Sequence, residues 1–159
     1  MRINDMSIAL LLALSMGGPA VAAGSGGHDH GVHPNDGMTA DRTVEVVARD
    51  VEFSTSEISI SPGETIRFVI RNEGMGDHDF TIGDQATQNA HREVMMEMMM
   101  AGNMHAHDHG ASNAVLVPPG ETRELTWTFT GDEDLLFGCN VPGHFESGMH
   151  GNFVVGSEE

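Results

Sequence analysis

Lysine is absent from this 159-residue sequence, and its seven basic residues are all arginines. Against them stand 24 acidic residues, so that the formal net charge is −17 at pH 7. Nucleic-acid binding requires clustered lysine and arginine to neutralise phosphates, and this composition excludes nucleic acid as an expected partner. The excess negative charge favours cations and basic proteins as partners, and it serves solubility equally well.

The sequence also lacks a long apolar run. The apolar segment 8–14 is far too short to cross a membrane, but it follows Arg2 and precedes small residues that end at Ala23. This arrangement is typical of an export signal. We therefore expect residues 1–23 to be a signal peptide and the mature protein to be periplasmic and not embedded in a membrane. A buried N-terminal helix is the alternative.

The remaining sequence is long enough for one domain and too short for two. Residues 24–42 are rich in glycine and lack apolar periodicity, which predicts a flexible segment. This segment carries three histidines: His28, His30 and His33. We expect the folded domain to span residues 43–156, followed by a short tail at 157–159.

Within the domain, short stretches of alternating apolar and polar residues predict seven or eight strands. Turns at 61–64 and 118–121, each containing a Pro-Gly pair, separate some of these strands. This pattern favours an all-β fold, either an antiparallel sandwich of two sheets or a Greek-key barrel. Residues 90–101 are instead rich in helix formers, which predicts a helix and a polar loop within an insertion at 85–113.

Cys139 is the only cysteine, so the chain has no internal disulfide. It begins the spacing C-x4-H-x4-M, which continues with His144 and Met149. A thiolate, an imidazole and a thioether on one loop suit copper, whereas zinc more often takes further cysteines or a carboxylate. The loop therefore predicts a soft copper site.

A second imidazole from another strand would complete a trigonal site of two histidines and one cysteine. His78 is the strongest candidate, because it lies where a glycine-rich turn ends and an apolar strand begins. The other histidines lie in polar, flexible or C-terminal surroundings. Met75 and His150 adjoin the candidate ligands and are alternative donors.

These motifs resemble those of the cupredoxins, the family of plastocyanin and azurin. The resemblance rests on an N-x-G…H-x-F segment at residues 72–80 and an F-G-C-x-V-P-G-H-x-x-x-G-M segment at 137–149. It is greatest to periplasmic cupredoxins encoded in proteobacterial copper-tolerance loci. It implies a Greek-key β-sandwich of about eight strands and one type 1 copper, with His78, Cys139 and His144 as equatorial ligands and Met149 as the axial ligand. It also implies that His144 stands at the surface as the electron route, where Val141 and Phe145 frame a docking patch or belong to the core.

A second group of soft donors lies in the insertion. It comprises six methionines and three histidines: Met95, Met96, Met98, Met99, Met100, Met104, His105, His107 and His109. Val94, Met95, Met98 and Met99 have the spacing of a buried helix face, but Met96 and Met100 lie on another face. Thioethers suit Cu(I) and imidazoles suit Cu(II), so this segment, with His28, His30 and His33, is a candidate for auxiliary copper binding.

Two functions follow from these patterns. The first is copper tolerance, in which the protein binds, buffers or redox-cycles copper and meets a copper-exporting system. The second is one-electron transfer between periplasmic proteins, with a partner such as a cytochrome. An enzyme is less favoured, because the chain lacks the extra histidine pairs of multicopper oxidases, although oxidation of Cu(I) with an external acceptor stays open. The excess of methionine and histidine favours copper tolerance.

Overall fold

A computed structural model describes residues 38–104, 113–131 and 134–156. In this part of the chain, nine strands form two sheets, and one helix lies between β5 and β6 in the sequence. The elements are β1 Arg42–Arg49, β2 Glu52–Phe53, β3 Glu57–Ile60, β4 Thr65–Asn72, β5 His78–Gly83, α1 Gln85–Met100, β6 Ala114–Val117, β7 Thr122–Thr128, β8 Leu136–Gly138 and β9 His150–Val155. None of the described helices is long and apolar enough to span a membrane.

The two sheets have the strand orders β2-β1-β4-β7 and β3-β9-β8-β5-β6. They pack face to face because their strands present alternating apolar residues to a shared core, as in β4, where Ile66, Phe68 and Ile70 are fully buried. The expectation of an all-β sandwich with a helical insertion is confirmed. The described residues contain one strand more than the approximate eight, and the additional short strand is the two-residue β2.

The expectation of antiparallel sheets is wrong at two places. β1 pairs in parallel with β4, from Arg42 opposite Ile66 to Ala48 opposite Asn72, and β3 pairs in parallel with β9. Parallel neighbours need a long crossover connection between them. Residues 50–64 provide it for β1 and β4, because the chain crosses to the second sheet as β3 before it returns as β4.

Aromatic side chains fill the core between the sheets. Phe68 packs against Phe80 with the ring centroids 5.4 Å apart, and Phe80 stacks on Phe137 at the same distance. Leu125 and Phe129 are also buried, and Trp127 is half-buried against them, as their spacing in the sequence predicts. This core fixes β5 and β8 as antiparallel neighbours, with Thr81 opposite Gly138. The start of β5 therefore lies beside the end of β8.

Helix α1 begins earlier than the predicted residue 90. Asp84 caps it, since its side chain accepts a hydrogen bond of 2.7 Å from the Thr87 backbone N–H. The helix ends at Met100, two residues before Gly102, which has a positive φ of 66°. Only Gln88 and Met95 of this helix are buried.

Candidate metal centre

The candidate metal centre lies at the end of the second sheet, where β5 starts and β8 ends. His78 is the first residue of β5, and Cys139 directly follows β8. Because the two strands are antiparallel neighbours, their order in the sheet brings His78 and Cys139 together across 61 residues of chain. His144 and Met149 follow on the loop that connects β8 to β9.

Hydrogen bonds fold the β8–β9 loop into a compact turn. The Met149 N–H donates to the His144 carbonyl at 3.1 Å, and the Cys139 N–H donates to the Met149 carbonyl at 3.0 Å, which closes the loop at its base. Gly148 has a φ of 99°, a conformation that favours glycine, and it allows the chain to turn back towards β9. The loop thus returns both His144 and Met149 to Cys139.

Three donor atoms converge in this loop and strand. One ligand atom from each of His78, Cys139 and His144 lies within 4.8 Å of the others. Cys139 Sγ is 3.7 Å from His78 Nδ1 and 3.4 Å from His144 Nδ1. Met149 is fully buried and belongs to a small buried cluster with Cys139 and Ala48. All four side chains singled out in the sequence therefore lie in one region of the structure.

Burial determines the protonation states of the metal-free site. Burial raises the pKa of the Cys139 thiol well above its ordinary value, and the Asp79 carboxylate adds to this effect. Burial and, to a smaller extent, the neighbouring His144 together lower the pKa of His78 to about 4, against the opposing effect of Asp79. Burial also lowers the pKa of His144. Both imidazoles are therefore neutral donors at pH 7, and a bound cation would offset the cost of the buried thiolate.

This donor set fits copper. Two neutral imidazoles and one thiolate, with a buried thioether close by, form the combination that stabilises type 1 copper, whereas the described residues offer no second cysteine for a zinc site. The Asp79 backbone N–H lies 3.5 Å from Cys139 Sγ and donates a hydrogen bond to it. Hydrogen bonds to a ligand sulfur adjust the redox potential of a copper site.

A family model for copper binding proteins of the plastocyanin/azurin family matches residues 40–156. The chain belongs to this family. The cupredoxin resemblance is confirmed. The expectation of one copper ion is also confirmed, by the family and by the donor set together.

Two relatives and two solved structures are similar to this cupredoxin. Over 169 residues it is 37% identical to a copper-resistant cuproprotein CopI of Pseudomonas aeruginosa, covering 92% of this chain and 93% of that protein. It is 40% identical to CopI of Vibrio cholerae over 73% of this chain and 66% of that protein.

Among solved structures, auracyanin A, a "blue" copper protein of Chloroflexus aurantiacus, has a TM-score of 0.56 and 25% identity, with coverage of 72% and 98%. An azurin of Methylomonas sp. strain J has a TM-score of 0.58 at 18% identity, with coverage of 74% and 100%. These two likenesses support the fold.

The alternative donors are not part of the cluster. Met75 is 90% exposed, and His150 is exposed and stacks on the Phe145 ring with the ring centroids 4.6 Å apart. Val141 and Phe145 were expected either to frame a docking patch or to belong to the core. Both are half-buried, which is intermediate between the two. The Arg92 guanidinium lies 4.3 Å from the Phe145 ring centroid, so that the helix also contacts the ligand loop.

Three of the six candidate auxiliary methionines lie on the exposed side of α1. Met96, Met99 and Met100 are 43%, 46% and 80% exposed, whereas Met95 is buried and Met98 and Met104 are half-buried. The interpretation that Val94, Met95, Met98 and Met99 all pack on the sandwich is therefore wrong at Val94 and Met99, which are exposed, whereas Met95 is buried and Met98 is half-buried. The six histidines of this candidate group lie outside the described residues: His28, His30, His33, His105, His107 and His109.

Three polar residues behind the site were missed by sequence reasoning. Asp79, Gln88 and His91 form hydrogen bonds with the segments that carry the ligands. The available signal was Asp79, an acidic residue between His78 and Phe80 at the start of an apolar strand. Gln88 and His91 give no comparable signal, because their part of the helix has no apolar periodicity.

Proposed function

We propose that this protein is a periplasmic cupredoxin that contributes to copper tolerance by binding, buffering or redox-cycling copper. The observation that carries the proposal is the buried convergence of His78, Cys139 and His144, with Met149 beside them. Two relatives that share 37% and 40% of their residues with this chain are named copper-resistant cuproproteins. Copper held by these four residues would supply a one-electron couple between Cu(I) and Cu(II).

The methionines of α1 support copper handling over electron transfer alone. Met96, Met99 and Met100 have the spacing i, i+3 and i+4, which places them on one helix face. All three are exposed, and exposed thioethers at this density add nothing to the core. We propose that they bind Cu(I), with the flanking histidines as donors for Cu(II). The protein would then collect copper at a second place besides the metal centre.

Electron transfer is the alternative function, and one observation favours it. His144 is half-buried, whereas His78, Cys139 and Met149 are fully buried. His144 is therefore the donor nearest to solvent and the natural electron route to a partner protein such as a cytochrome. Copper tolerance could also involve a copper-exporting system as partner.

Export to the periplasm follows from the pattern of residues 1–23, which lie outside the described part of the chain. Expression of the full-length chain in a bacterial host should yield a periplasmic protein whose measured mass corresponds to a chain that begins at Gly24. Retention of the intact N-terminus in the cytoplasmic fraction would contradict the proposal.

Growth of a deletion strain separates the two functions. Loss of the gene should make cells copper-sensitive without a respiratory defect, and the wild-type gene should restore growth whereas Cys139→Ala should not. Normal copper resistance combined with lost electron flux would contradict copper tolerance and support the carrier.

Copper titration of the purified protein tests the metal centre itself. The wild-type protein should develop a visible thiolate-to-copper band and a type 1 signal in electron paramagnetic resonance at one equivalent of Cu(II). Cys139→Ala should lose the band while retaining copper at other sites. A wild-type protein without such a band would contradict the assignment of the four ligands.

A further inference from the structure

A buried carboxylate lies directly behind the metal centre. The Asp79 side chain is 1% exposed and accepts hydrogen bonds from three groups on different segments. Its Oδ2 accepts from Thr81 Oγ1 at 2.7 Å and lies 2.8 Å from His91 Nε2, and its Oδ1 accepts from the Asn140 backbone N–H. Asp79 thereby connects its own strand with helix α1 and with the ligand loop.

Gln88 forms a second connection between the same segments. Its side chain is fully buried, and Nε2 donates to the carbonyls of Thr81 at 2.9 Å and Leu136 at 3.3 Å. Its Oε1 accepts from Asn140 Nδ2 at 2.7 Å. Every hydrogen-bonding group of the Gln88 amide is thus directed at β5, β8 or the residue that follows Cys139.

Asp79 and Asn140 are each adjacent in sequence to a predicted copper ligand. Asp79 follows His78, and its backbone N–H donates to Cys139 Sγ, while Asn140 follows Cys139. The hydrogen bond from the Asn140 backbone N–H to the Asp79 carboxylate therefore links the ligand loop to the ligand strand. Two residues of helix α1 hydrogen-bond to these side chains: His91 to Asp79, and Gln88 to Asn140.

We propose that Gln88 and His91 of helix α1 are positioning residues of the copper centre, acting through Asp79 and Asn140. The inserted helix is then an integral part of the metal site and does more than carry methionines. The proposal rests on the copper centre of the family and is independent of the role in copper tolerance.

The physical reason is the cost of a buried acceptor without its donors. A buried carboxylate needs several hydrogen bonds to remain in place, and it reorients when one donor is removed. Without His91, the carboxylate keeps Thr81 and Asn140 as partners and is free to rotate towards them. This rotation displaces the Asn140 backbone N–H that the carboxylate binds, and with it the adjacent Cys139 Sγ relative to the Asp79 backbone N–H. The loss of the His91 donor also leaves more negative charge beside the copper.

The test compares His91→Leu with His91→Gln in the full-length, Cu(II)-loaded protein. The Gln amide nitrogen occupies roughly the position of His Nε2 and retains a donor for Asp79, whereas Leu has none. We expect His91→Leu to change the intensity ratio of the thiolate-to-copper bands and the copper hyperfine splitting, and to lower the reduction potential. His91→Gln should restore all three towards the wild-type values.

Ala90→Gln is the matched control, because Ala90 is the exposed neighbour of His91 on the same helix. It should leave the spectrum and the potential unchanged. Gln88→Met, which keeps the length of the side chain and removes its hydrogen bonds, should shift the same quantities as His91→Leu. If His91→Leu fails to fold, His91→Asn replaces it, because its shorter amide withdraws the donor from Asp79.

A folded variant that lacks the donor of His91 but retains the wild-type spectrum and potential would overturn the proposal. A lower melting temperature alone would also overturn it, since that result assigns His91 and Gln88 to helix packing only. Both outcomes are separate from the growth assay, which tests copper tolerance and not the geometry of the copper centre.

Discussion

At the scale of single residues, the chemistry of the site begins with the cost of burying Cys139 and His78. Both are fully buried, and burial disfavours the charged form of each side chain. In the metal-free protein Cys139 is therefore a thiol and His78 a neutral imidazole. A copper ligand must be deprotonated, so copper binding at pH 7 releases the proton of the Cys139 thiol. The His78 imidazole is already neutral at this pH and has no proton to release for binding.

The lowered pKa of His78 predicts how the stability of the metal-free protein depends on pH. The pKa of His78 is about 4 in the folded state, and that of an unperturbed histidine side chain is 6.5. Between these values the unfolded chain binds more protons, so the free energy of unfolding falls as the pH decreases from 6.5 towards 4. The effect is at most about 3 kcal/mol. Urea denaturation at pH 5, 6 and 7 measures it.

His78→Gln provides the control, because its neutral amide does not titrate in this range. The variant should show a flatter pH dependence between pH 5 and 7, with a remaining slope from His144, whose pKa is also lowered. Equal slopes in the wild-type protein and the variant would contradict the assignment of the pH dependence to His78.

Gly138 gives a second prediction at this scale. A Cβ atom at this position would lie 2.7 Å from Phe145 Cε2 and 3.1 Å from Gln88 Oε1. Gly138→Ala should therefore displace the Phe145 ring, which His150 and Arg92 hold in place, and destabilise the protein by about 1 to 3 kcal/mol. Urea denaturation measures the loss.

Gly76→Ala is the comparison, since a Cβ atom there meets nothing within 4 Å. It should leave the free energy of unfolding within about 0.5 kcal/mol of the wild-type value. If both alanine variants had the same stability, the close contact between Gly138 and Phe145 would not exist in solution.

At the scale of elements, helix α1 has two faces with different tasks. One face places Gln88 and Met95 in the interior, and the other exposes Met96, Met99 and Met100. Met95→Ala should destabilise the protein by about 2 to 5 kcal/mol, because it removes a fully buried side chain. A loss below 0.5 kcal/mol in urea denaturation would mean that the helix does not dock on the sandwich as described.

The exposed face predicts a separate result for Cu(I). Replacing Met96, Met99 and Met100 together by Leu removes three thioethers with little change in side-chain volume and leaves the core untouched. We expect the variant to bind fewer equivalents of Cu(I) in competition with a chelator, while the visible band of the Cu(II) centre persists. An unchanged Cu(I) stoichiometry would show that these thioethers do not bind copper.

Some elements were predictable from local patterns, and others were not. The strand with Leu125 and Trp127 follows from alternation, and the ligand loop from the spacing of Cys139, His144 and Met149. The first turn of α1 has no such signal, since residues 85–89 are mostly polar and the helix starts there because Asp84 caps it. The hydrogen bonds of Gln88 and His91 depend on where the helix docks, which local sequence does not encode.

At the scale of the whole molecule, topology determines which residues meet. The pairing of β5 with β8 brings His78 to Cys139, and no local spacing connects these two residues. The sequence pointed to His78 through its place between a glycine-rich turn and an apolar strand, and through resemblance to a family, but neither specified the strand pairing. The strand alternation likewise did not specify that β1 would pair in parallel with β4. Long-range pairing depends on the path of the chain between sheets, so it was the least predictable part of the fold.

Charge is also distributed unevenly over the molecule. Five of the six arginines in the described residues lie on β1, β4 and β7, and each has an acidic partner. These ion pairs are Arg42–Glu64, Arg49–Glu73, Arg71–Glu73, Arg67–Glu124 and Arg123–Glu121. Such pairs between exposed groups contribute about 0 to 1 kcal/mol each, and salt weakens them. A net charge of −17 remains after these pairs are counted, and the excess carboxylates repel one another.

Salt therefore has two opposing effects on stability, and the net charge predicts which one dominates. Raising NaCl from 20 to about 500 mM reduces the Debye length several-fold, which screens both the surface ion pairs and the repulsion among the excess carboxylates. Because each pair is weak and the excess charge is large, we expect the urea midpoint of the metal-free protein to rise with salt. Urea is uncharged, so it adds no ionic strength of its own. A midpoint that falls with salt would mean that the arginine pairs of the first sheet stabilise the fold more than the net charge destabilises it.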